Sequence, residues 1–213
     1  MKRKFIYICL SMALMSCQKL DLNPLSQGSS ETWNSDADEI IMSLNDLYRE
    51  ALWKKDADEW TDDWINRDGL TDITNATING QTGFVNTNWS DTYKAIARAN
   101  TVLESMDRAS GVLSESQINM YKGEARFVRA CMYSYLLSHF KNVVYTDKTL
   151  TIEEAMQIGQ MNPDELLKKI YEDFDFAIAN MRESFSSNEL KRATKGAAMA
   201  MKARIALYVG DYT

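Results

Sequence analysis

Only two prolines, Pro24 and Pro163, punctuate 213 residues, and between them apolar side chains return at steps of three and four. Proline removes a backbone donor and breaks helices, so its scarcity leaves this chain free to build long ones. A step near 3.6 puts apolar residues on one face of a helix, whereas a half-buried strand alternates. Ile40, Ile41, Leu44, Leu47, Tyr48, Ala51 and Leu52 predict a first helix over 36–54. Trp89, Tyr93, Ile96, Asn100, Leu103 and Met106 predict a second over 90–108, entered at Trp89. A third opens on Ser114-Glu115-Ser116-Gln117, the spacing of a capping box. Ile118, Tyr121, Ala125, Val128, Met132 and Tyr135 carry it to Phe140. Asn162-Pro163-Asp164-Glu165 sets asparagine at the N-cap, proline at the first helical position and acid at the third. Leu167, Ile170, Phe174, Ala177, Ile178 and Met181 continue this fourth helix to Glu183. Thr194 caps a fifth and Gly210 stops it; Ala197, Ala198, Ala200, Ala203 and Ala206 permit a neighbour to approach closely.

Two stretches lack the period. Residues 55–88 are rich in Asp, Asn, Thr and Gly, with a turn signal at Asn79-Gly80. A non-helical connection of that length inside a domain is usually functional or disordered. Residues 141–161 are also expected to be irregular. An internal echo aligns 122–136 with 195–209: Lys, Gly and Ala coincide, then Arg129 with Lys202, Ala130 with Ala203 and Tyr135 with Tyr208. Gly123 and Gly196 are 73 residues apart, against about 68 for two tetratricopeptide-type helix pairs. The expected fold is all-α: tetratricopeptide-like helix-pair repeats, an α-solenoid, with a long irregular loop insertion. A composition of 45% hydrophobic and 25% charged residues is ordinary for a globular chain with one sizeable core.

The first residues read as an address. Lys2, Arg3 and Lys4 precede the apolar run Phe5–Met15, too short for the roughly 20 residues of a membrane-spanning helix and typical of a secretory signal. Leu14-Met15-Ser16-Cys17 resembles a bacterial lipobox, which implies cleavage before Cys17 and acylation of its thiol. Two or more acyl chains anchor stably, at about 0.8 kcal/mol per buried methylene. The expected organisation is a lipoprotein signal peptide over 1–16, a lipidated flexible tether over 17–35, and a helical-repeat domain over 36–213. Cleavage would remove three positive charges, taking the net charge from −6 to −9. Such a surface repels nucleic-acid phosphates, and no basic stripe is present.

Cys9 lies in the signal and Cys131 stands alone in the remainder, so no disulfide framework is expected. Cys131 reads as a small buried residue. The only histidine, His139, is eight residues on, about 12 Å along a helix. That is too far for a nucleophile's base. No phosphate loop, metal-ligand cluster or nucleophile elbow occurs, and neither a metal nor a cofactor is expected. Glu124, Arg126 and Arg129 read as ion pairs and exposed stems on a repeat helix.

The segments WSDTYKAIARANTVLESM (89–106), GEARFVRACMYSYLLSHF (123–140), DELLKKIYEDFDFAIANM (164–181) and RATKGAAMAMKARIALYVGDY (192–212) resemble, in order, successive blocks of the SusD/RagB family. The resemblance implies a non-enzymatic surface lipoprotein of Bacteroidota, anchored in the outer membrane. Such a protein binds a glycan, or a peptide, and delivers it to a TonB-dependent outer-membrane transporter of the SusC type. There are two departures from the family. Phe140-Lys141-Asn142-Val143-Val144 stands where the family often has a Phe-Gly-x-x-Pro-like turn. Family members are also usually much longer, so 36–213 is expected to be an incomplete, amino-terminal part. The competing reading is a tetratricopeptide-like lipoprotein scaffold for outer-membrane protein assembly. A lipid-anchored glycoside hydrolase would need two carboxylates across a cleft.

Flat aromatic rings stack on the apolar faces of sugars, while amides, carboxylates and arginine meet the hydroxyls. The 55–88 loop carries that inventory in Trp60, Trp64, Arg67, Asp68, Asn75, Asn79 and Phe84, with Gln81 nearby. These are the candidate ligand residues. Alternatively Trp60 and Trp64, four apart, close the helical core as a pair. Asp62, Asp63, Asp68 and Asp72 do not match EF-hand spacing and read as a solvated acidic loop. Trp89 begins a periodic stripe and is expected in the core, and His139 at its rim.

Overall fold

Helix α1 (Ala37–Asp46) starts where Asp36 accepts the backbone N–H of Glu39 at 2.9 Å. The computed structural model of the chain describes residues 33, 36–54, 60–61, 63, 69, 71–140, 142–186 and 192–212. Five more helices follow α1 among them: α2 (Gly83–Ser105), α3 (Glu115–His139), α4 (Ile152–Gln157), α5 (Pro163–Asn180) and α6 (Lys195–Val209). Strands β1 (Val143–Val144) and β2 (Gln160–Met161) pair antiparallel, with Val143 opposite Met161 and Val144 opposite Gln160. The chain is a tetratricopeptide-like stack of helix pairs, α2/α3 then α5/α6, with a long loop ahead of α2 and a short hairpin between the pairs.

The caps read from sequence form as expected. Ser114 and Gln117 exchange both bonds of a capping box, Asn162 accepts from Asp164, and Thr194 accepts from Ala197. Gly210 ends α6 in the left-handed conformation (φ 78°), where glycine carries no side-chain penalty.

Elsewhere the boundaries move. The first helix stops at Asp46 instead of reaching 54; a 3-10 turn, Glu50–Leu52, follows. Trp53 explains the break: its indole N–H donates to the carbonyl of Leu47 at 2.9 Å, and Leu47 and Leu52 remain buried without a continuous helix. The second helix begins at Gly83 rather than 90, and a 3-10 turn, Met106–Gly111, follows it. Its first two turns carry polar Asn86, Thr87 and Asn88, which hide the period. The fourth ends at Asn180, not Glu183. Residues 141–161 are more ordered than expected: they hold the hairpin and α4, whose Thr151 and Glu154 form a capping box.

Helix α3 is the centre of the stack. Buried residues occur all round it, with α2 on one side and α5 on another. Phe127 meets both Trp53 and Phe174, at centroid distances of 6.1 and 6.4 Å. Gly123 lies where α5 ends, and a Cβ there would stand 3.1 Å from Met181 Cγ, so that side chain would have to give by a few tenths of an ångström. Trp89 packs half-buried between Tyr93 and Phe140, at 4.8 and 4.9 Å. Cys131 is buried, as read from sequence.

Glu124 and Arg129 overturn the expectation of exposed stems. Both are buried, at 1% and 4% exposure. Arg129 forms a fork with Asp173 of α5, Nε to Oδ2 at 2.7 Å and Nη2 to Oδ1 at 2.8 Å, while Nη1 donates to Asn100 Oδ1 of α2 at 2.8 Å. Burying two charges is costly unless every polar atom is met; the fork and the asparagine do that. Arg126 is half-buried, with its guanidinium 4.2 Å above the ring of Phe176. Glu124 accepts from Arg192 Nη2 at 2.8 Å and from the Tyr48 hydroxyl at 3.1 Å. Arg192 also donates to Asn45 at 2.6 Å. One buried carboxylate thus ties together α1, α3 and the lead into α6. Burial holds its pKa above the ordinary glutamate range, opposed by Arg192 and the Tyr48 hydroxyl.

Candidate functional site

The loop ahead of α2 is built by its own short side chains. Thr71 Oγ1 accepts the N–H of Thr74 at 3.2 Å, and Thr74 Oγ1 accepts that of Thr71 at 2.9 Å. The Asp72 carbonyl accepts from both Thr77 and Ile78 at 2.9 Å. Asn75 Oδ1 accepts the N–H of Thr77 at 3.0 Å, with Ala76 between them in the left-handed region at φ 60°. Both ends of the Asn79 amide are engaged: Oδ1 accepts from Gln81 N–H at 2.8 Å, and Nδ2 donates to the Thr77 carbonyl at 3.2 Å. Asx and Thr turns of this kind replace the ladder bonds the loop lacks. Asn75 and Asn79 therefore shape the turn while remaining exposed.

Phe84 is not a loop residue as expected; it lies in the first turn of α2. There it stacks with Trp60, ring centroids 5.7 Å apart at 26°, and both are half-buried. Helix α2 therefore fixes one ring and the loop brings the other to it. The remaining candidates, Trp64, Arg67 and Asp68, lie outside the described residues, as do Cys17 and Asp62.

A second feature escaped the sequence. A cleft of about 540 Å³ lies between α3, α6 and the segment after the first 3-10 turn, lined by Trp53, Met132, Tyr135, Met201, Arg204 and Ile205. Its lining comes from positions 53–54, 92, 131–139 and 201–208, far apart in sequence, so no local motif announces it. Cys131 also borders it, and burial pushes that thiol's pKa up, so it stays protonated and unreactive at neutral pH. His139 stacks on Tyr135 at 4.1 Å and is exposed at the rim. Lys54 beside the cleft is paired with Asp91 at 2.8 Å; that bond and a second from Lys94 hold the Asp91 carboxyl below its ordinary range. Among the described residues no group of three or more His, Cys, Asp or Glu is placed to hold a metal ion, and no helix is long and apolar enough to cross a membrane.

The segment beyond α3 is held by core side chains. The Tyr93 hydroxyl donates to the Val144 carbonyl and accepts its N–H, at 2.8 and 2.9 Å. Tyr133 does the same for Thr146, at 3.0 and 2.8 Å. Asn100 Nδ2 donates to the carbonyls of Thr146 and Lys148. Burial pushes the Tyr93 phenol up to about 12 and that of Tyr133 further, so both remain donors at neutral pH.

These features define a class: a helix-pair repeat protein that carries a structured polar loop and a half-buried aromatic pair on its flank. A family model described as SusD-like, "starch-binding associating with outer membrane", matches residues 20–207, and the chain belongs to this family. It is similar to the SusD-like protein P25 of Formosa agariphila, 26% identical over 130 residues, 61% of this chain and 24% of the relative. It also resembles the SusD-like protein P2 of the same organism, 24% identical over 99% of this chain and 44% of the relative. A crystal structure of a SusD-like protein from Bacteroides fragilis superposes with a TM-score of 0.69 at 26% identity, over 86% of this chain and 37% of that one. The chain spans less than half the length of each of these relatives.

Proposed function

We propose that this chain is the amino-terminal, helical-repeat part of a non-enzymatic, lipid-anchored receptor on the outer membrane. It captures an oligo- or polysaccharide and passes it to a TonB-dependent transporter. The observation that carries this reading is membership, over residues 20–207, in a family described as starch-binding and associated with the outer membrane. The amino-terminal pattern supports it: basic residues, an apolar run and Cys17 divide the chain into a signal over 1–16, a lipidated tether over 17–35 and the domain over 36–213. Capture is reversible and no bond is made or broken. Trp60 stacked on Phe84 is the platform for a sugar face, and Trp64, Arg67, Asp68, Asn75 and Asn79 are the further candidate ligand residues. Peptide is the second ligand class.

The test is mobility of the chain in native gels cast with amylopectin or laminarin, and in gels with casein peptides. The expected result is retardation by a glycan that Trp60→Ala abolishes without unfolding the protein. Retardation by peptide alone overturns the glycan, and retardation indifferent to Trp60→Ala overturns the platform. Cys17→Ala is expected to release the protein from the membrane fraction; continued palmitate labelling of that variant overturns the anchor.

A further inference from the structure

The cleft between α3 and α6 is walled by matching positions of two helices that echo each other in sequence. Cys131, Met132 and Tyr135 of α3 line it, and so do the residues 73 positions on, Arg204, Ile205 and Tyr208 of α6. Trp53 completes a set of three rings around it. Each ring is held from within the chain. The Trp53 indole N–H donates to the Leu47 carbonyl at 2.9 Å, and its ring lies against Phe127. The Tyr135 hydroxyl accepts from Asn88 Nδ2 at 2.8 Å, and the Tyr208 hydroxyl donates to the Ser138 carbonyl at 2.8 Å. The smaller hydroxyls of the wall also direct their protons into the backbone. Thr92 donates to the Asn88 carbonyl, Ser134 to that of Ala130 and Ser138 to that of Tyr135, at 2.7, 2.7 and 3.0 Å. The walls therefore present flat apolar surface with few hydroxyl donors, whereas a sugar brings several hydroxyls that must be met.

Charge narrows the choice further. The described residues lining the cleft include Lys54 and Arg204 and no carboxylate, in a chain whose net charge is −6. Asp91, outside the lining, pairs with Lys54 at 2.8 Å and with Lys94 at 3.0 Å, so one carboxylate there answers two ammonium groups. We infer that this cleft is a binding site for a small aromatic anion, a flat ring system bearing one carboxylate. The ring lies among Trp53, Tyr135 and Tyr208, in the offset or edge-on arrangements aromatic pairs prefer. The carboxylate meets Arg204, whose planar guanidinium matches its geometry. A volume of about 540 Å³ is within the range of small-molecule sites. Because the three rings are already held, binding orders little of the protein. The inference does not depend on what the 55–88 loop binds.

The probe is 2-naphthoate, titrated into the full chain to millimolar concentration, with the methyl resonances of Met132 and Met201 reporting the cleft. The uncharged 2-naphthamide and the sugar acid glucuronate are titrated in parallel. The expected result is saturable binding of 2-naphthoate that moves both methyls, with 2-naphthamide at least fivefold weaker. Arg204→Gln should weaken 2-naphthoate roughly tenfold and leave 2-naphthamide unchanged. Tyr208→Ala should weaken both. The two substituted positions are exposed, so the melting temperature should stay close to that of the unaltered chain. Absence of saturation overturns the site, as does binding indifferent to both substitutions. Equal affinity for 2-naphthamide overturns the anion. Glucuronate moving the same methyls more tightly overturns the aromatic ring, and shifts confined to the Trp60 indole overturn the place.

Discussion

The turn at 71–82 and helix α3 satisfy their polar groups in opposite ways. In the turn, Thr71, Asp72, Asn75, Thr77, Asn79 and Thr82 bond to one another over two to five residues. On α3, Glu124 and Arg129 find side-chain partners 29 to 76 residues away. A turn of the first kind forms from local sequence and can change without consulting the stack. Ion pairs of the second kind exist only once three helices have met, so they report assembly. Of the candidate ligand residues, Asn75 and Asn79 thus rest on a locally bonded turn, whereas Phe84 rests on α2.

The sharpest way to break that contrast is Arg129→Ala, which leaves Asp173 buried with only the more distant Arg126 Nε, at 3.8 Å, as a charge partner. Loss of about 3–5 kcal/mol is expected, because the remaining charge keeps its desolvation cost. Urea unfolding of the single and double variants measures it, and the Asp173→Ala/Arg129→Ala double variant should lose less than the sum of the two singles. A change below 1 kcal/mol would mean that the fork contributes little beyond the packing around it.

A smaller effect is expected at Glu124. Burial raises its folded-state pKa above the ordinary value of 4.5. The folded state therefore favours the protonated form. The stability this brings is complete below the unfolded pKa and lost as pH rises through the folded one. Wild type should lose stability relative to Glu124→Gln as pH rises from about 4.5 towards neutral. The opposite slope in melting temperature would show that Arg192 and Tyr48 outweigh burial. Smallest of all should be Asn79→Ala, within about 0.5 kcal/mol as for surface sites generally. A loss above 2 kcal/mol would show the turn to be coupled to the core after all.

What could be read from the sequence divides along the same line. Ser114, Asn162, Thr194 and Gly210 were legible because a cap is decided by three or four consecutive residues. Thr151 and Glu154 carry the same signature, but the six-residue helix they open is too short to show an apolar period. The end of α1 was not legible: Leu47 through Leu52 keep an apolar spacing, and only the reach of Trp53 back to the Leu47 carbonyl breaks the helix. The burial of Arg129 depends on Asp173, 44 residues on, and no local pattern pairs them. At the candidate site, residue types single out the loop, but the Trp60–Phe84 stack joins a loop to a helix turn that the polar composition conceals.

The tie-points of the segment after β1 are main-chain atoms: the amides and carbonyls of Val144 and Thr146 and the carbonyls of Asp147 and Lys148. Tyr93, Asn100, Arg129 and Tyr133 grip the path of the chain and are indifferent to the identity of the side chains along it. Those main-chain bonds do not themselves depend on which side chain stands at 144, 146 or 148. The outer surface of this stretch can thus change in chemistry while the four gripping residues hold its path.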